Sequence, residues 1–419
     1  MNIKIRKRLF NIFSTYAIIF ISEFTIAMLA PIITLLFYDK SSSLFNSNSP
    51  ITTRSLMYGL TMMTTQIAML FSNIVLSSMS DFWGRKKAII IIFIGILFQC
   101  VGCLFAVKSG SLILFIIFMS ISYLTYATKP VMTASIIDLT NDKNRLIFVS
   151  TIQTFIGLAY TLGPILSTHT MSIKLTNTPF STPYIIASAI IMITLLFITF
   201  FYYNPPILEK RKIKINLSDE LLSSIKSKTI LTLIIILLLN QLAWGMFFQF
   251  APVIAKTILQ FTSNKIGYIF TFIGLALILS SLVLIPIMQL YLSKRCIFNI
   301  GIFIFLCGIL LATIVSSLTI NKNHEILFWI SIILTVFGDV TIFTILVTLF
   351  TQYFNRKFHG FILGSIYTIG FGVAWASSAI LGGITTSIKT NGTMYVCLGL
   401  SITLVYIQGR FSKILFKPE

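Results

Sequence analysis

The sequence predicts an all-α membrane protein with twelve transmembrane helices in two six-helix halves related by pseudo-symmetry. Hydrophobic residues make up 56% of the 419 residues and charged residues only 10%, whereas a soluble domain of this size needs far more charged surface. The apolar residues fall into twelve runs, each near the roughly 20 residues with which a helix crosses a bilayer. A polar stretch at 204–228 leaves six runs on either side.

The twelve runs predict the order of the helices along the chain. They lie at about 9–38, 55–80, 88–107, 112–137, 146–168, 183–203, 229–255, 265–292, 297–318, 326–350, 360–387 and 393–411. The spans must be helices, because a membrane barrel would show short alternating strands. The division at the polar stretch predicts an N-terminal bundle over 1–203, a cytoplasmic linker over 204–228 and a C-terminal bundle over 229–419.

The basic residues predict the orientation of the helices. With the N-terminus in the cytoplasm, 22 of the 31 Lys and Arg residues lie on internal segments and 8 on external ones, with Lys129 inside the fourth run. Because basic residues concentrate on the cytoplasmic side of membrane proteins, both termini are expected to be cytoplasmic. The net charge of +20 is then a signal of topology, and no nucleic-acid partner is expected.

The sequence shows no pattern typical of an enzyme, a cofactor site or a metal centre. Five cysteines are too few for a disulfide framework, and Cys100-x-x-Cys103 lies inside an apolar run without histidine or acidic companions. No Gly-x4-Gly-Lys-Ser/Thr loop for binding nucleotide occurs. We therefore expect no catalytic residues, no cofactor and no bound metal.

A short, charge-dense stretch links the second and third runs, and it resembles a motif of the major facilitator superfamily. That motif reads roughly Gly-x-Leu-Ala-Asp-Arg-x-Gly-Arg-Arg/Lys, and the sequence matches it at Asp81, Gly84, Arg85 and Lys86. The motif's first glycine, its leucine and its first arginine are replaced. Together with the twelve-run plan, this motif makes nearly the whole chain resemble the bacterial twelve-helix members of the superfamily.

The resemblance implies a gate at the cytoplasmic face. Asp81 would accept hydrogen bonds from the start of the eleventh helix near His359-Gly360, where free N–H groups favour an anion. Arg85 would pair with Asp138 at the end of the fourth run, and Arg145 belongs to the acidic-to-basic link that follows it. In the alternative interpretation these charges only enforce topology.

Three ionisable residues fall inside predicted spans: Glu23 in the first run, Lys129 in the fourth and Asp339 in the tenth. A charge at the bilayer centre costs about 2.5–3.5 kcal/mol on insertion scales, so each is expected to face a cavity or a partner. The resemblance implies that helices 1, 4, 7 and 10 line the central pathway. Further polar and aromatic candidates on the fourth and seventh runs are Tyr126, Asn240, Gln241, Trp244 and Gln249.

Two roles for the intramembrane charges stay open from the sequence. Glu23 and Lys129 would neutralise each other in a purely structural pair. Alternatively, Glu23 or Asp339 would bind and release a proton as the cavity changes sides. Lys129 would then serve as a fixed charge for an anionic group, or as a salt-bridge partner released by protonation.

The resemblance and these charges favour a proton-coupled secondary active transporter of a small organic solute, working by alternating access in a bacterial inner membrane. The first expectation is export of a drug or metabolite in exchange for protons. The alternative is uptake of an organic anion or a siderophore-like metabolite, favoured by Lys129 and by a fifth-run antiporter motif reduced to Gly163-Pro164. A non-transporting sensor is a third hypothesis. The expected partners are the solute, protons and the lipid bilayer, and the expected state is a monomer.

Overall fold

The computed structural model describes residues 3–140, 145–171, 180–204, 227–318, 322–353 and 368–415, together with 173, 175, 176 and 178. Its regular elements form twelve helical units. They are α1 Ile3–Tyr38, α2 Ile51–Trp83, α3 Arg85–Ser109, α4 Leu112–Tyr123 continued by Thr128–Leu139, α5 Arg145–Met171, α6 Thr182–Phe201, α7 Lys228–Thr257, α8 Ser263–Leu279 continued through the π turn Ser280–Leu284 into Ile285–Tyr291, α9 Lys294–Ser317, α10 Lys322–Tyr353, α11 with the π turn Thr368–Ala374 and helix Trp375–Ile388, and α12 Gly392–Leu415.

The predicted fold class is confirmed. Within the ranges just given, ten helices are long and apolar enough to cross a membrane. Two units differ from these ten: the described apolar helix of α11 is shorter, at Gly372–Ile388, and α5 carries more polar residues. All regular elements described are helices, as a chain that must satisfy its own backbone inside lipid requires.

Buried apolar side chains form two clusters, one in each half of the chain. The first is built from α1 to α6 with Phe250 and Val253 of α7 added, and the second is built from α7 to α12 with Leu35 of α1 added. Among these buried residues, Leu35, Phe250 and Val253 lie in the cluster of the other half. Residues 205–226 of the predicted linker lie outside the described residues.

The two halves touch where glycines let helix backbones approach each other. A Cβ at Gly59 of α2 would lie 2.7 Å from the carbonyl oxygen of Ala379 and 2.8 Å from Cα of Gly383, both on α11. On the other side of the molecule, a Cβ at Gly274 of α8 would lie 2.5 Å from the backbone nitrogen of Thr161 on α5. Such small residues allow close helix packing in membranes, where apolar side chains gain little from leaving lipid.

The turn between α2 and α3 depends on a glycine. Gly84 has φ of 92° and ψ of 147°, a conformation that costs any residue with a Cβ. A Cβ there would also lie 2.5 Å from Nδ2 of Asn204, at the end of α6. The Asn204 side chain accepts a hydrogen bond from the Lys86 backbone N–H at 3.2 Å, so the turn is held against α6.

Replacing Gly84 with alanine is expected to destabilise the protein by about 1–3 kcal/mol, because the new Cβ combines backbone strain with a clash against Asn204. The midpoint of thermal unfolding in detergent would measure this loss. Gly399→Ala on α12 is the matched control, since a Cβ at Gly399 meets nothing within 4 Å. Equal midpoints for the two variants would contradict the prediction.

The fourth unit is interrupted between its two segments. Backbone N–H groups of 124, 125 and 126 donate to carbonyls three residues earlier, at 3.1, 3.1 and 3.2 Å, so α-helical bonding stops at 124–127. Pro130 stands at the third position of the next segment and has no N–H to offer the preceding turn. A Cβ at Gly95 of α3 would lie 1.7 Å from Oγ1 of Thr125. The interruption therefore packs directly on α3.

Candidate functional site

A cavity of about 100 Å³ lies between the two halves, near the middle of the helices. Its polar lining includes Thr65, Gln66, Gln99 and Gln249, and its aromatic lining includes Tyr123, Tyr160, Phe248 and Trp375. Pockets for drug-sized ligands measure about 300–1,000 Å³. The cavity in this structure is smaller than that range.

Glu23 of α1 is buried beside the interruption in α4. Its side chain is 1% exposed, and Oε1 accepts a hydrogen bond from the Tyr126 hydroxyl at 2.6 Å. Lys129 approaches the other oxygen less closely, with Nζ 4.0 Å from Oε2 and a side chain that is 37% exposed. The ion pair considered from the sequence is thus present at a long distance, while the short contact comes from the tyrosine.

Asp339 of α10 is buried among amides. The residue is 6% exposed, and Oδ1 accepts hydrogen bonds from Asn240 Nδ2 at 2.7 Å and Gln241 Nε2 at 3.1 Å, both on α7. No basic side chain of the described ranges forms a salt bridge with it. A buried carboxylate without a cation is costly unless it binds a proton or is reached by water.

Each carboxylate lies one side chain behind the cavity wall. Tyr126, which binds Glu23, has its ring 5.4 Å from the ring of Tyr123, a cavity residue. Gln241, which binds Asp339, accepts a hydrogen bond from Trp375 Nε1 at 3.3 Å. Tyr123 and Trp375 were missed by sequence reasoning, because hydrophobic spacing alone does not show which aromatic side chains face the cavity.

The remaining predicted residues of α7 lie at different depths from the cavity. Gln249 lines it, and its Nε2 donates to Ser378 Oγ of α11 at 3.0 Å. Trp244 is buried in the core of the second half, with its ring 5.6 Å from the ring of Phe248. It lies behind Phe248, which lines the cavity.

The motif between α2 and α3 forms a compact ionic cluster around Arg85. Its Nη1 lies 2.5 Å from Asp81 Oδ1, and its Nε donates to Asp138 Oδ2 at 2.8 Å. Arg85 is 5% exposed, whereas the side chains of Asp138 and Asp81 are 12% and 29% exposed. Lys86 donates through Nζ to the carbonyl oxygen of Thr199 on α6, at 2.9 Å. We refer to this end of the molecule as the Gly84 face.

The contact between Arg85 and Asp138 agrees with the pairing that the family resemblance implied. The other expected partner of Asp81, the start of the eleventh helix near His359-Gly360, lies outside the described residues. So does the side chain of Arg145, although its backbone begins α5. In the described part of the chain, the cluster joins α2, α3 and α4 within one half.

The opposite end, here called the Asp39 face, has an ion pair between the halves. Lys256 near the end of α7 lies with Nζ 2.6 Å from Asp39 Oδ2, just after α1. Asp39 Oδ1 accepts hydrogen bonds from the Ser41 N–H at 2.9 Å and hydroxyl at 2.7 Å. Burial on its own raises the pKa of Asp39, but the bonds from Lys256 and Ser41 lower it by more, so the pKa lies below the usual 3.8.

A buried arginine supports the same face. Arg54 of α2 donates from Nη1 to the carbonyl oxygens of Phe37 and Asp39, at 3.0 and 3.2 Å. Its Nε and Nη2 bind the carbonyls of Ser49 and Asn46, at 3.2 and 2.8 Å. Arg54 thus fixes the end of α1 and the following loop, and with them the position of Asp39.

Removing the ion pair is expected to loosen the Asp39 face. With Ile33→Cys in the cavity wall as a reporter, in a variant without native cysteines, Asp39→Asn should speed labelling by a membrane-impermeant thiol reagent several-fold. Lys40→Gln is the control, because it removes a neighbouring exposed charge. Equal labelling rates in Asp39→Asn and Lys40→Gln would contradict a closing role.

The lowered pKa of Asp39 also fixes a pH dependence. The ion pair favours closure of the Asp39 face while Asp39 is ionised. The contribution of the pair to closure is therefore complete above about pH 3.8 and is lost as the pH falls through the lowered pKa of Asp39. Labelling of the Ile33→Cys reporter should therefore be independent of this pair between about pH 5 and 8. A rise in labelling near neutral pH that disappears in the Asp39→Asn variant would be the contrary result.

This chain is similar in sequence to one family of proteins and in structure to several solved transporters. The family model described as Major Facilitator Superfamily matches residues 12–364. No curated protein sequence matches significantly. Among solved structures, the human organic anion transporter MFSD10 (TETRAN) is similar with a TM-score of 0.69, 14% identity and coverage of 96% of this chain and 99% of that one.

Two further solved structures are similar over their whole length. A D-xylose–proton symporter has a TM-score of 0.72 and 13% identity, with 95% of this chain and 97% of that chain covered. The nucleoside transporter NupG has a TM-score of 0.71 and 12% identity, with 97% and 100% covered. Identities this low show a shared fold, while the proteins named carry different solutes.

Proposed function

The chain belongs to the Major Facilitator Superfamily, and from that premise we propose that it is a proton-coupled secondary active transporter of a small organic solute. It works by alternating access in a bacterial inner membrane, and the proposed direction is export of a drug or metabolite in exchange for protons. It acts as a monomer, without a cofactor and without enzymatic chemistry. The lysine and arginine distribution supports a cytoplasmic Gly84 face with both termini on that side.

One observation carries the proposal: two buried carboxylates lie directly behind the wall of a cavity between the halves. Asp339 connects to the cavity through Gln241 and Trp375, and Glu23 through Tyr126 and Tyr123. A proton that binds Asp339 changes what its amide neighbours bind, and the Trp375 indole at the cavity wall moves with them. Proton binding and solute binding are thereby linked through one chain of hydrogen bonds.

The two faces supply the alternation. At the Asp39 face, the pair of Asp39 with Lys256 and the contact of Gly59 with Gly383 join the halves. At the Gly84 face, the Arg85 cluster holds the turn from α2 to α3 in one shape. Separation of the halves at one face at a time exposes the cavity, and with it one route for protons, to one side at a time.

Uptake of an organic anion or a siderophore-like metabolite is the second candidate. It is favoured by Lys129, whose ammonium lies 4.0 Å from Glu23 and whose side chain is 37% exposed. A proton on Glu23 would remove the negative charge that the ammonium faces, which strengthens its attraction for an anionic group on a solute. One structural neighbour is an organic anion transporter, although at 14% identity the likeness supports only the fold.

Transport measurements in proteoliposomes with an imposed pH gradient test the proposal. A panel of candidate solutes is added while a pH-sensitive dye trapped inside reports proton movement. Exchange predicts that solute and protons move in opposite directions, and the uptake candidate predicts the same direction. Solute flux that ignores the pH gradient would overturn proton coupling, and no flux of any solute under any gradient would favour the sensor hypothesis.

A further inference from the structure

A second groove, of about 280 Å³, lies on the outer surface of the first half between α2 and α4. Its apolar lining is Ile67, Ala68 and Phe71 of α2 and Ile121 and Leu124 of α4. Phe71 is 56% exposed and Leu124 is 51% exposed. Because α2 and α4 are membrane-spanning candidates, exposed apolar side chains on their outer surface face lipid. The groove therefore opens toward the bilayer.

The groove and the central cavity lie on opposite sides of the same pair of helices. Thr65 and Gln66 of α2 and Met119 of α4 line the cavity, whereas the adjacent Thr64 and Ser120 line the groove. The residues alternate between the two spaces along both helices. The boundary between bilayer and cavity at this level is the contact of α2 with α4, which we call the α2–α4 seam.

The seam is suited to separation. Thr64 and Ser120 meet across it through one hydrogen bond, with the two hydroxyl oxygens 2.9 Å apart, and Ala68 beside them is small. The α-helical bonding of α4 ends directly after Tyr123, so the α4 side of the seam lies next to the interruption at 124–127. A helix whose bonding is interrupted bends there more readily than a continuous one.

On the cavity side of the seam, two hydrogen-bond acceptors receive no hydrogen bond from the described residues. Gln66 Oε1 and Gln249 Oε1 are both buried and have no hydrogen-bond partner within the described ranges, and both residues line the cavity. A buried acceptor left unpaired is costly, so these oxygens favour a ligand that carries N–H or O–H donors. Asp339 lies behind the wall without a salt bridge to any basic side chain of the described ranges, and a carboxylate in that position favours a donor that is cationic.

We propose that the α2–α4 seam is a lateral entrance for amphiphiles whose polar head group carries N–H donors, such as a primary ammonium on an alkyl chain. The alkyl chain rests in the groove, and the head group passes between Thr64 and Ser120 to reach Gln66 and Gln249. This assignment of a substrate class rests on the transport function proposed above. The route leads from the lipid, and not from the water on either face.

Photolabelling of the wild-type protein in nanodiscs tests occupancy of the groove. The probe is a dodecylamine with a diazirine on its chain, and labelled positions are read by peptide mass spectrometry. We expect saturable labelling within 64–71 and 120–124 that excess dodecylamine reduces at least tenfold. Dodecyltrimethylammonium, which has the same chain and charge without N–H donors, and butylamine should compete weakly. Phe105 of α3, 58% exposed, marks ordinary lipid-facing surface.

A reversible lock on the seam tests passage. The Thr64 and Ser120 hydroxyl oxygens lie 2.9 Å apart, so these two positions are chosen for an engineered disulfide across the seam, and loss of free thiol verifies that the cross-link has formed. In the oxidised Thr64→Cys/Ser120→Cys variant, labelling at Trp375 and Tyr160 in the cavity should fall at least tenfold, while labelling at the reference position Phe105 persists. A reducing agent should restore cavity labelling, and oxidised Thr64→Cys alone should label as the wild type does.

The outcomes separate this inference from the proposed function. The binding site is overturned if labelling in the groove is no more saturable than labelling at Phe105. It is also overturned if dodecyltrimethylammonium competes as well as dodecylamine does. Undiminished cavity labelling in the locked variant overturns the entrance. These measurements need no proton gradient, so they stand even if pH-driven transport is absent, and loss of the lateral entrance would leave pH-driven flux of water-soluble solutes intact.

Discussion

Replacing Asp339 with asparagine is expected to lower pH-driven solute transport at least about tenfold, equivalent to about 1.4 kcal/mol, because the amide binds no proton. The substitution preserves shape, and its oxygen still accepts from Asn240 and Gln241, which now lie 2.7 and 3.1 Å from Oδ1. Solute binding and solute-for-solute exchange without a gradient should persist. Initial rates in proteoliposomes with and without an imposed pH gradient measure the difference.

Glu23→Gln distinguishes the two roles considered for Glu23. If it carries protons, pH-driven flux falls as in Asp339→Asn while thermal stability is kept, since Tyr126 can still donate to the amide oxygen. If it only neutralises Lys129, stability falls and is recovered in the Glu23→Gln/Lys129→Met double variant. Full pH-driven flux in a Glu23→Gln/Asp339→Asn variant would show that neither residue couples protons to solute.

Asp81→Ala is expected to slow transport about tenfold, or about 1.4 kcal/mol, while solute affinity stays nearly unchanged. Asp81 binds Arg85 at 2.5 Å at the Gly84 face, far along α2 from the cavity residues Tyr58 to Gln66. Its loss alters how the face closes and leaves the cavity wall intact. Lys87→Ala, an exposed neighbour in the same turn, is the control and should transport normally.

Arg85→Ala should be more severe than Asp81→Ala. It removes the buried member of the cluster and leaves two carboxylates that had shared it, and breaking a buried ion pair costs about 3–5 kcal/mol. Lower thermal stability together with lost transport is the expected outcome.

An Asp81→Ala variant that loses solute affinity as strongly as a variant altered in the cavity wall would contradict the separation of gate and cavity.

The sequence was sufficient for the helix plan because run length and hydropathy are local properties. It placed one helix over about 112–137, where the structure interrupts α4 at 124–127; Pro130 marked the place, but proline is also common in unbroken membrane helices, as Pro31 in α1 shows. The contact of Arg85 with Asp138 came from the family resemblance and not from spacing.

Other parts of the site depend on tertiary structure that spacing does not encode. Asp39 and Lys256 are 217 residues apart, and nothing in the sequence around either residue indicates the other. Asn240, Gln241 and Asp339 were each recognised as polar residues inside apolar runs, but their mutual contact depends on how α7 and α10 are rotated. The choice of Tyr123 and Trp375 among many aromatic residues as cavity lining follows from the same rotations.

The contact between Gly59 and Gly383 has a mechanical consequence. The two helices meet there backbone against backbone, so in the proposed alternation this contact would act as the pivot. The part of α2 from Gly59 to Trp83 is a lever about 36 Å long at 1.5 Å per residue. A tilt of about 10° about this pivot would displace its far end by about 6 Å, and it would first have to separate Leu70 of α2 from Gly372 of α11.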